Sequence, residues 1–350
     1  MRHPIIEEDL RAITAANLPW SALRGKTVLV TGANGFVPAY LVETLLYLNE
    51  VHPSPKIRIV GLVRNADKAA ARFSSYQGRT DLEFVVQDVA RPLQFAGRLD
   101  YIIHAASQAS PKYFAIDPVG TLLPNVVGTH HLLERARNDR AAAFLFVSGG
   151  EVYGQVGEER IPTDEHAFGC VSPTEVRSCY AESKRMGETM CVCWHQQYGV
   201  PAKIVRLYHA YGPGMSLSDG RVFADFVADI LQGRDIHMKS DGSAQRAFCY
   251  LADAAIGFFT VLLRGEPGQA YNLGDDREEV SIRQLADRLA ALFSGKNLKV
   301  VREQRADGQL YLASKIARHF PDVRKIRALG WSPATTLEEG FRRTVRSFEK

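Results

Sequence analysis

Tyr180 and Lys184 are the residues of this sequence whose types and spacing best fit acid–base chemistry. They stand four positions apart in a segment with helical patterning, so both side chains would lie on one face of a helix. A free tyrosine has a pKa of about 10, and a nearby ammonium group favours the phenolate and lowers that pKa. The pair therefore predicts a phenol that acts as a general base near neutral pH and removes a proton from a hydroxyl group.

A glycine turn near the N-terminus predicts a dinucleotide site. The β-branched stretch 26–31 runs into Gly32 and Gly35, and a helical pattern follows. Gly32 permits the tight turn, and Gly35 lets the backbone approach a pyrophosphate at the N-terminus of the helix. Pro38 stands where a third glycine is expected, and the first helical turn tolerates a proline. The position of this turn, between a strand and a helix, is more informative than the glycine spacing alone.

The ends of the second and third predicted strands bear on the choice of cofactor. An acid after the second strand would bind the ribose of NAD, whereas an arginine can hold the extra phosphate of NADP. The sequence has Arg64 there and no acid before Asp67. Arg64 therefore indicates either NADP or an arginine that lies on the adenine of NAD. Asp88 and Val89 follow the third strand and are predicted to flank the adenine.

The order of elements along the 350 residues indicates an α/β fold. Apolar, β-branched runs alternate with helical patterns, which is typical of a doubly wound parallel sheet of the Rossmann type with a smaller C-terminal lobe that binds substrate. We expect a helical N-terminal extension over residues 1–24, appended to the fold, and a dinucleotide-binding domain over 25–210. Residues 211–350 would form mainly the substrate-binding lobe, with a late strand near 270–273 returning to the main sheet.

Composition excludes several classes of protein. Apolar residues make up 46% of the chain and charged residues 23%, as in ordinary globular proteins. The sequence lacks an apolar stretch of membrane-spanning length and a clustered basic face, so we expect neither a membrane nor a nucleic-acid partner. Five cysteines, an odd count, and a start that does not read as a secretory signal favour a cytoplasmic protein. The sequence shows no set of metal ligands, and no metal is predicted.

Beyond these patterns, the chain resembles the extended short-chain dehydrogenase/reductases over about residues 25–345, nearly its whole length. The branch is that of nucleotide-sugar epimerases, dehydratases and decarboxylases, and the UDP-glucuronate decarboxylases are the group that it resembles most, through residues 107–111 and Arg177. The resemblance rests on the glycine turn that ends in Gly35-Phe36, His104-Ala105-Ala106, Asn125-Val126-Val127-Gly128-Thr129, Glu151-Val152-Tyr153-Gly154, Tyr180 with Lys184, Tyr211-Gly212-Pro213-Gly214, Asp219-Gly220-Arg221-Val222, Gln245-Arg246-Ala247-Phe248 and Asn272-Leu273-Gly274.

The resemblance implies a reaction through a 4-keto sugar. Tyr180 and Lys184 would oxidise the 4-hydroxyl of a nucleotide sugar against bound NAD. In a uronate the ketone creates a β-keto acid, which loses carbon dioxide, and Glu151 would act as an acid or base. Arg246 and Arg221 would meet the diphosphate or sugar end through planar guanidinium groups. The hydride would then return, so that the cofactor is unchanged overall.

The predicted site residues form three sets. The catalytic set is Tyr180, Lys184, Glu151 and Ser148. The cofactor set is Gly32, Asn34, Gly35, Phe36, Val37, Arg64, Asp88, Val89, His104, Ala105, Ala106 and Asn125, together with Tyr180 and Lys184. The substrate set is Ser107, Ser110, Glu151, Arg177, His209, Arg221 and Arg246.

Three positions depart from the pattern that the resemblance implies. Gly149 stands where relatives carry a serine or threonine that binds the reacting hydroxyl, so Ser148, Ser107 or a water would have to replace it. Gly150 stands where dTDP-glucose dehydratases carry an aspartate, which argues against that reaction. His209 stands where relatives often have an asparagine near the diphosphate.

Several functions remain open at this point. Decarboxylation is the preferred hypothesis, with 4-epimerisation and then dehydration as alternatives within the same enzyme class. A net NADPH-dependent reductase is a further alternative, favoured by Arg64. A non-catalytic nucleotide-binding protein is another, motivated by Gly149. The resemblance also implies a homodimer that forms through a four-helix interface, with the helical patterns of 119–135 and 180–198 on the contact face.

Overall fold

The computed structural model describes residues 2–303 and 316–349. In this part of the chain the strands are β1 (Thr27–Thr31), β2 (Arg58–Val63), β3 (Leu82–Val86), β4 (Tyr101–His104), β5 (Ala143–Gly149), β6 (Ala202–Leu207), β7 (Ala210–Tyr211), β8 (Ile236–Met238), β9 (Gln245–Arg246), β10 (Cys249–Tyr250), β11 (Ala270–Leu273), β12 (Val280–Ser281), β13 (Val300–Arg302) and β14 (Arg318–His319). The α-helices are α1 (Pro4–Ala15), α2 (Phe36–Val51), α3 (Ala66–Arg72), α4 (Pro111–Ile116), α5 (Pro118–Leu123), α6 (Thr129–Asp139), α7 (Cys179–Tyr198), α8 (Val222–Leu231), α9 (Leu251–Arg264), α10 (Ile282–Leu292), α11 (Arg324–Arg327) and α12 (Leu337–Arg346).

Seven parallel strands form the central sheet, in the order β11-β6-β5-β4-β1-β2-β3. Strands β2 and β3 follow β1 on one side of it, and β4, β5, β6 and β11 follow one another on the other side. Strand order reverses between β1 and β4, and ligands of open α/β sheets bind outside the carboxyl ends of the strands at such a point. The predicted doubly wound α/β fold is confirmed.

Helices cover both faces of the sheet. Helices α2 and α9 pack on one face, and α6 and α7 pack on the other. The side chains of β1 show why both layers are needed, since Val28 and Val30 enter one apolar core and Leu29 enters the other. Successive side chains of a strand point to opposite faces, so a run of buried residues such as this one must be covered on both sides.

A smaller set of elements stands beyond the carboxyl ends of the sheet strands. Its strands β12, β9 and β14 form a three-stranded sheet, and β8 pairs with β13. In this arrangement Arg246 of β9 lies directly opposite His319 of the parallel strand β14, which brings both residues to the edge of the main sheet. Within residues 2–303 and 316–349, no helix has the length and apolarity needed to cross a membrane.

Helix α1 is an integral part of the core, and the expectation of an appended extension is wrong. Leu10 and Ile13 are fully buried, and α1 packs against α2 and α9. The buried carboxylate of Asp9 accepts hydrogen bonds from the hydroxyls of Tyr40 (2.6 Å) and Tyr250 (2.7 Å) and from the guanidinium of Arg343 (2.8 Å). One side chain thus joins four helices or strands that are far apart in the sequence.

The substitution Asp9→Ala is expected to destabilise the protein by about 3–5 kcal/mol, because it removes one partner of a buried ion pair and leaves Arg343 without its counter-ion. Chemical denaturation followed by circular dichroism measures this change. Glu8→Ala is the matched control, since Glu8 pairs with the same arginine but its side chain is 59% exposed, and exposed pairs contribute about 0–1 kcal/mol. Equal destabilisation by both variants would contradict the role given to Asp9.

Candidate active site

A cleft of about 630 Å³ opens at the carboxyl ends of β1, β5 and β6, between the sheet and the smaller elements. This volume lies within the range of small-molecule sites. The glycine turn after β1 lines one end, and residues of β9 and β14 line the other. The middle is lined by the end of β5 and the first turns of α7.

The glycine turn can hold a pyrophosphate. Gly32 has a φ of +64°, and a Cβ there would stand 2.9 Å from Cα of Ala106, so only glycine fits. Helix α2 begins at Phe36 without a side chain that caps it. The amide groups of its first turn have no partner within the helix and face the cleft. Pro38 is accommodated in this turn because the missing amide would have had no helical partner.

Tyr180 and Lys184 lie one turn apart on α7 and both line the cleft, as predicted. The ring of Tyr180 stacks on Phe114, with 5.2 Å between the ring centroids. The ammonium of Lys184 donates a hydrogen bond to the carbonyl of Val147 (2.6 Å) and lies 4.8 Å from the ring of Phe146. The neighbouring strand β5 therefore positions the lysine, and α4 positions the tyrosine.

The predicted acidification of Tyr180 by Lys184 is not found in the protein alone. Burial raises the pKa of Tyr180, and the carboxylate of Glu151 raises it further, while Arg221 and Arg177 oppose both effects. Burial also lowers the pKa of Lys184 to about 7, against the attraction of Glu188. A low-dielectric site disfavours both charged forms, and this effect outweighs the attraction between ammonium and phenolate that the sequence suggested.

The hydroxyl of Ser148 does not face Tyr180. It donates a hydrogen bond to the buried carboxylate of Glu188 (2.6 Å), which in turn pairs with Arg206 (2.7 Å). The prediction of Ser148 as a catalytic residue is therefore wrong in its geometry, because the alternation of β5 directs this side chain into the wall behind Lys184. Position 149 is the one that faces the phenol: a Cβ on Gly149 would lie 3.2 Å from the hydroxyl oxygen of Tyr180.

Glu151 and Arg177 form a two-point ion pair beside Tyr180. The guanidinium donates to both carboxylate oxygens, at 2.8 and 3.1 Å. It also lies 4.7 Å from the ring of Phe114, the ring on which Tyr180 stacks. Fork-to-fork pairs of this kind fix the plane of the carboxylate as well as its charge. Glu151 is thus held in a defined orientation at the cleft.

The two arginines predicted to bind substrate line the far end of the cleft. Arg246 is fixed by backbone carbonyls of Gln245 (2.7 Å), Ala317 (2.9 Å) and Ile316 (2.8 Å). Arg221 pairs with Asp219. Burial, together with these two arginines and His319, lowers the pKa of His209 well below its usual value. The histidine therefore adds no charge here, and the cations in this part of the lining are Arg221, Arg246 and Lys239, of which Arg221 pairs with Asp219 and Lys239 with Asp225.

The structure brings together most of the predicted site residues. The cleft is lined by Gly32, Gly35, Phe36, Val37, Ala105, Ser107, Ser148, Glu151, Arg177, Tyr180, Lys184, His209, Arg221 and Arg246. The predicted residues that lie outside this lining are Asn34, Arg64, Asp88, Val89, His104, Ala106, Ser110 and Asn125.

The side chains of three of these outlying residues are engaged elsewhere, and their role in binding the cofactor stays a prediction. The imidazole of His104 hydrogen-bonds Thr31 (2.9 Å) and the carbonyl of Pro124 (3.1 Å). Asn125 is fully buried and donates to Thr121 and Ser183. Val89 is buried in the core.

The remaining outlying residues lie on loops near the cleft. Arg64 is exposed. Asp88 accepts a hydrogen bond from the amide of Ala90 (2.8 Å), and the hydroxyl of Ser110 donates to the carbonyl of Asp219. Asn34 is half-buried in the glycine turn, and Ala106 contacts Gly32.

Several polar residues of the cleft were not predicted, among them Asp225, His237, Lys239 and His319, and His319 is the one nearest the end of β5. It lies on β14, about 110 residues beyond His209 in the chain, in a segment with no recognisable motif. Its pairing with Arg246 on β9 carries it to the cleft. Among residues 2–303 and 316–349 there is no group of three or more His, Cys, Asp or Glu side chains that could hold a metal ion.

Comparison with known proteins gives a consistent result. Residues 28–274 match the NAD dependent epimerase/dehydratase family. UDP-glucuronic acid decarboxylase 1 of Xenopus tropicalis is 34% identical over 327 residues, which are 93% of this chain and 72% of that protein. UDP-glucuronic acid decarboxylase 6 of Arabidopsis thaliana is 32% identical over 316 residues, 90% of this chain and 86% of that protein.

A solved structure agrees with these relatives. The dTDP-glucose 4,6-dehydratase of Streptomyces venezuelae, with NAD bound, superposes with a TM-score of 0.77 at 25% identity and covers 92% of this chain and 96% of its own. The family match spans both the glycine turn and the Tyr180–Lys184 pair. The chain therefore belongs to the NAD-dependent epimerase/dehydratase family.

Proposed function

We propose that the protein decarboxylates a nucleotide-linked hexuronate, with UDP-glucuronate as the preferred substrate, through a 4-keto intermediate. The observation that carries this proposal is the oriented carboxylate of Glu151, held by Arg177 beside the phenol of Tyr180. A decarboxylation needs an acid or base at the reacting carbon in addition to the base at the 4-hydroxyl. The curated relatives named above are decarboxylases of this kind.

The residues would act on the sugar as follows. Tyr180 would take the proton of the 4-hydroxyl as the C4–H bond breaks, provided that the positive charges of Lys184 and of bound NAD offset the effect of burial on its pKa. The bond between C5 and the carboxylate then breaks, carbon dioxide leaves, and the electron pair passes into the enolate formed by C5, C4 and the 4-oxygen. The enolate then takes one proton at C5, which must come from solvent, and the carboxylate of Glu151, oriented by Arg177, is suited to relay it. Tyr180 finally returns its proton to the 4-oxygen as the ketone is reduced.

NAD would be held by the glycine turn and the free amides of α2, and it would supply the hydride acceptor for the oxidation and the donor for the return. When Lys184 is protonated, its positive charge favours the ionised form of Tyr180. Arg221 and Arg246 offer planar donors to the diphosphate and carboxylate oxygens of the substrate. The five cysteines, which are all free thiols, support the expected cytoplasmic location.

Incubation of the holoenzyme with UDP-glucuronate is expected to yield a product lighter by one carbon dioxide, with no net change in nicotinamide absorbance. Mass spectrometry of the nucleotide sugars measures the product. Tyr180→Phe should lower the rate by on the order of 10²–10⁴, because it removes the general base. An isomer of unchanged mass would instead identify a 4-epimerase, loss of water a dehydratase, and net cofactor consumption a reductase, and each of these would overturn the proposal.

Lys184→Met is expected to abolish most activity while raising the thermal midpoint of the cofactor-free protein near pH 6–7. The pKa of Lys184 is about 7 in the fold against 10.5 in the unfolded chain, so the unfolded state binds more protons between these values. The lysine therefore costs stability most below pH 7, and the cost vanishes as pH approaches 10.5.

Thermal scans of wild type and variant from about pH 6 to pH 10 test this expectation. The gain in midpoint should shrink steadily as the pH rises. Lys56→Met is the control, since Lys56 is exposed and its loss should leave the midpoint nearly unchanged at every pH. A lower midpoint for Lys184→Met across the whole range would show that the lysine stabilises the fold.

We also propose that the protein forms a homodimer through α5, α6 and α7. Four large apolar side chains of α5 and α7 are exposed: Val119 (59%), Leu123 (41%), Met186 (50%) and Val192 (45%). Helices α5 and α7 pack side by side, so these side chains contribute to one surface. Exposed apolar patches of this kind mark protein–protein contacts, and a two-fold axis would pair the helices with their copies.

Met186→Glu combined with Val119→Glu is expected to convert a dimer into a monomer, because burying two carboxylates in an apolar contact is costly. Size-exclusion chromatography with light scattering measures the mass. Val51→Glu is the control, since Val51 is 46% exposed and ends α2, which packs on the other face of the sheet. A wild-type monomer, or a double variant that remains dimeric, would refute the interface.

A further inference from the structure

Two histidines with unpartnered ring nitrogens form part of the cleft wall. Among the residues that the structure describes, Nδ1 of His209 and Nε2 of His319 are buried and have no hydrogen-bond partner of good geometry, although the backbone of Ala247 and of Gly150 comes near enough to the respective ring to act on its pKa. The two rings are perpendicular, with 5.1 Å between their centroids, and Tyr208 lies behind His319 at 4.4 Å. Buried polar atoms are nearly always satisfied, so this pair calls for an explanation in terms of what the cleft binds.

The bare backbone of Gly150 makes room for His319. A Cβ at position 150 would stand 2.4 Å from Nε2 of His319 and 2.8 Å from the ring of Tyr208. No other residue type fits there while the imidazole keeps its place. The preceding residue, Gly149, is the one that faces the hydroxyl of Tyr180. The phenol and the imidazole thus contact consecutive residues of the same strand end, which places His319 next to the middle of the cleft, where the reacting groups lie.

The burial of both rings favours their neutral form near pH 7. Burial, with Arg246 close by, lowers the pKa of His319 to about 3. His209 is held neutral by burial, by His319 and by the two arginines. A neutral imidazole offers one donor and one acceptor, which matches a hydroxyl group. Phosphate and carboxylate oxygens are acceptors only and are better served by Arg221 and Arg246.

We propose that His209 and His319 form the subsite for the sugar ring, where they hydrogen-bond its hydroxyl groups and hold the reacting carbon against Tyr180. This inference rests on the proposed function in taking the ligand to be a nucleotide sugar. The arginines would bind the anionic parts of the same molecule. Selectivity among sugars would then come from which hydroxyls can reach the two ring nitrogens, because a buried nitrogen left without a partner is costly.

The test compares nucleotide sugars with their nucleotides on the NAD-loaded protein. Calorimetry measures the affinity of UDP-glucuronate, UDP-glucose and dTDP-glucose against that of UDP and dTDP. His319→Leu and His209→Leu are each expected to weaken the sugar nucleotides by about 10–100-fold, the loss of one or two buried hydrogen bonds. Binding of UDP and dTDP should be unchanged. His319→Gln, which keeps a donor and an acceptor, should restore most of the affinity.

His166→Leu is the control, since His166 is exposed outside the cleft. If His319→Leu fails to fold or to retain NAD, the other two variants still test the subsite. His209→Leu should weaken the binding of sugar nucleotides, and His319→Gln should bind them nearly as well as the wild type. Equal weakening of sugar nucleotides and nucleotides would overturn the subsite, and so would a wild-type protein that binds both equally well. If no sugar in the panel is decarboxylated while the histidine variants behave as expected, the proposed reaction fails and the subsite stands.

Discussion

The cleft depends on the burial of the amino group of Lys184 at the end of β5, which lowers its pKa to about 7. Lys184 is enclosed between α7 and the sheet, and its strongest contact is the carbonyl of Val147. A charge in such a place is tolerated only with compensation. The nearby carboxylate of Glu188 provides this compensation. Glu188 accepts hydrogen bonds from Ser148 and Arg206, and Arg206 also donates to the hydroxyl of Tyr153 (2.8 Å). This network ties β5, β6 and α7 into one rigid wall.

The sequence was a good guide wherever a local pattern determines the outcome. The predicted strands at 26–31 and near 270–273 both lie in the central sheet, because parallel strands covered on both faces read as continuous apolar runs. The spacing of Tyr180 and Lys184 correctly placed both on one face of a helix, and the glycine turn correctly placed the start of α2. These features depend on a few consecutive residues, and nothing distant in the chain alters them.

The sequence did not predict the contacts of side chains for which the fold offers several possible partners. Ser148 lies one residue from the phenol in sequence, yet the alternation of a strand turns it to Glu188. His104 belongs to a recognisable motif, but Thr31 and Pro124 occupy both of its nitrogens. The position of His319 depends on the pairing of β9 with β14, two short strands that are far apart in the chain. The effect of burial on the pKa of Tyr180 likewise requires the packed structure.

The two successive glycines at the end of β5 differ sharply as targets for redesign. A serine at position 149 would need its neighbours to yield by only a few tenths of an ångström, since its Cβ would lie 3.2 Å from the phenolic oxygen. A hydroxyl could thus be installed next to the reacting group by a single exchange. At position 150 the same exchange would collide with an imidazole, so it requires a simultaneous change of the colliding residue. A single substitution can therefore introduce a side chain at position 149, whereas position 150 accepts one only together with a second substitution at His319.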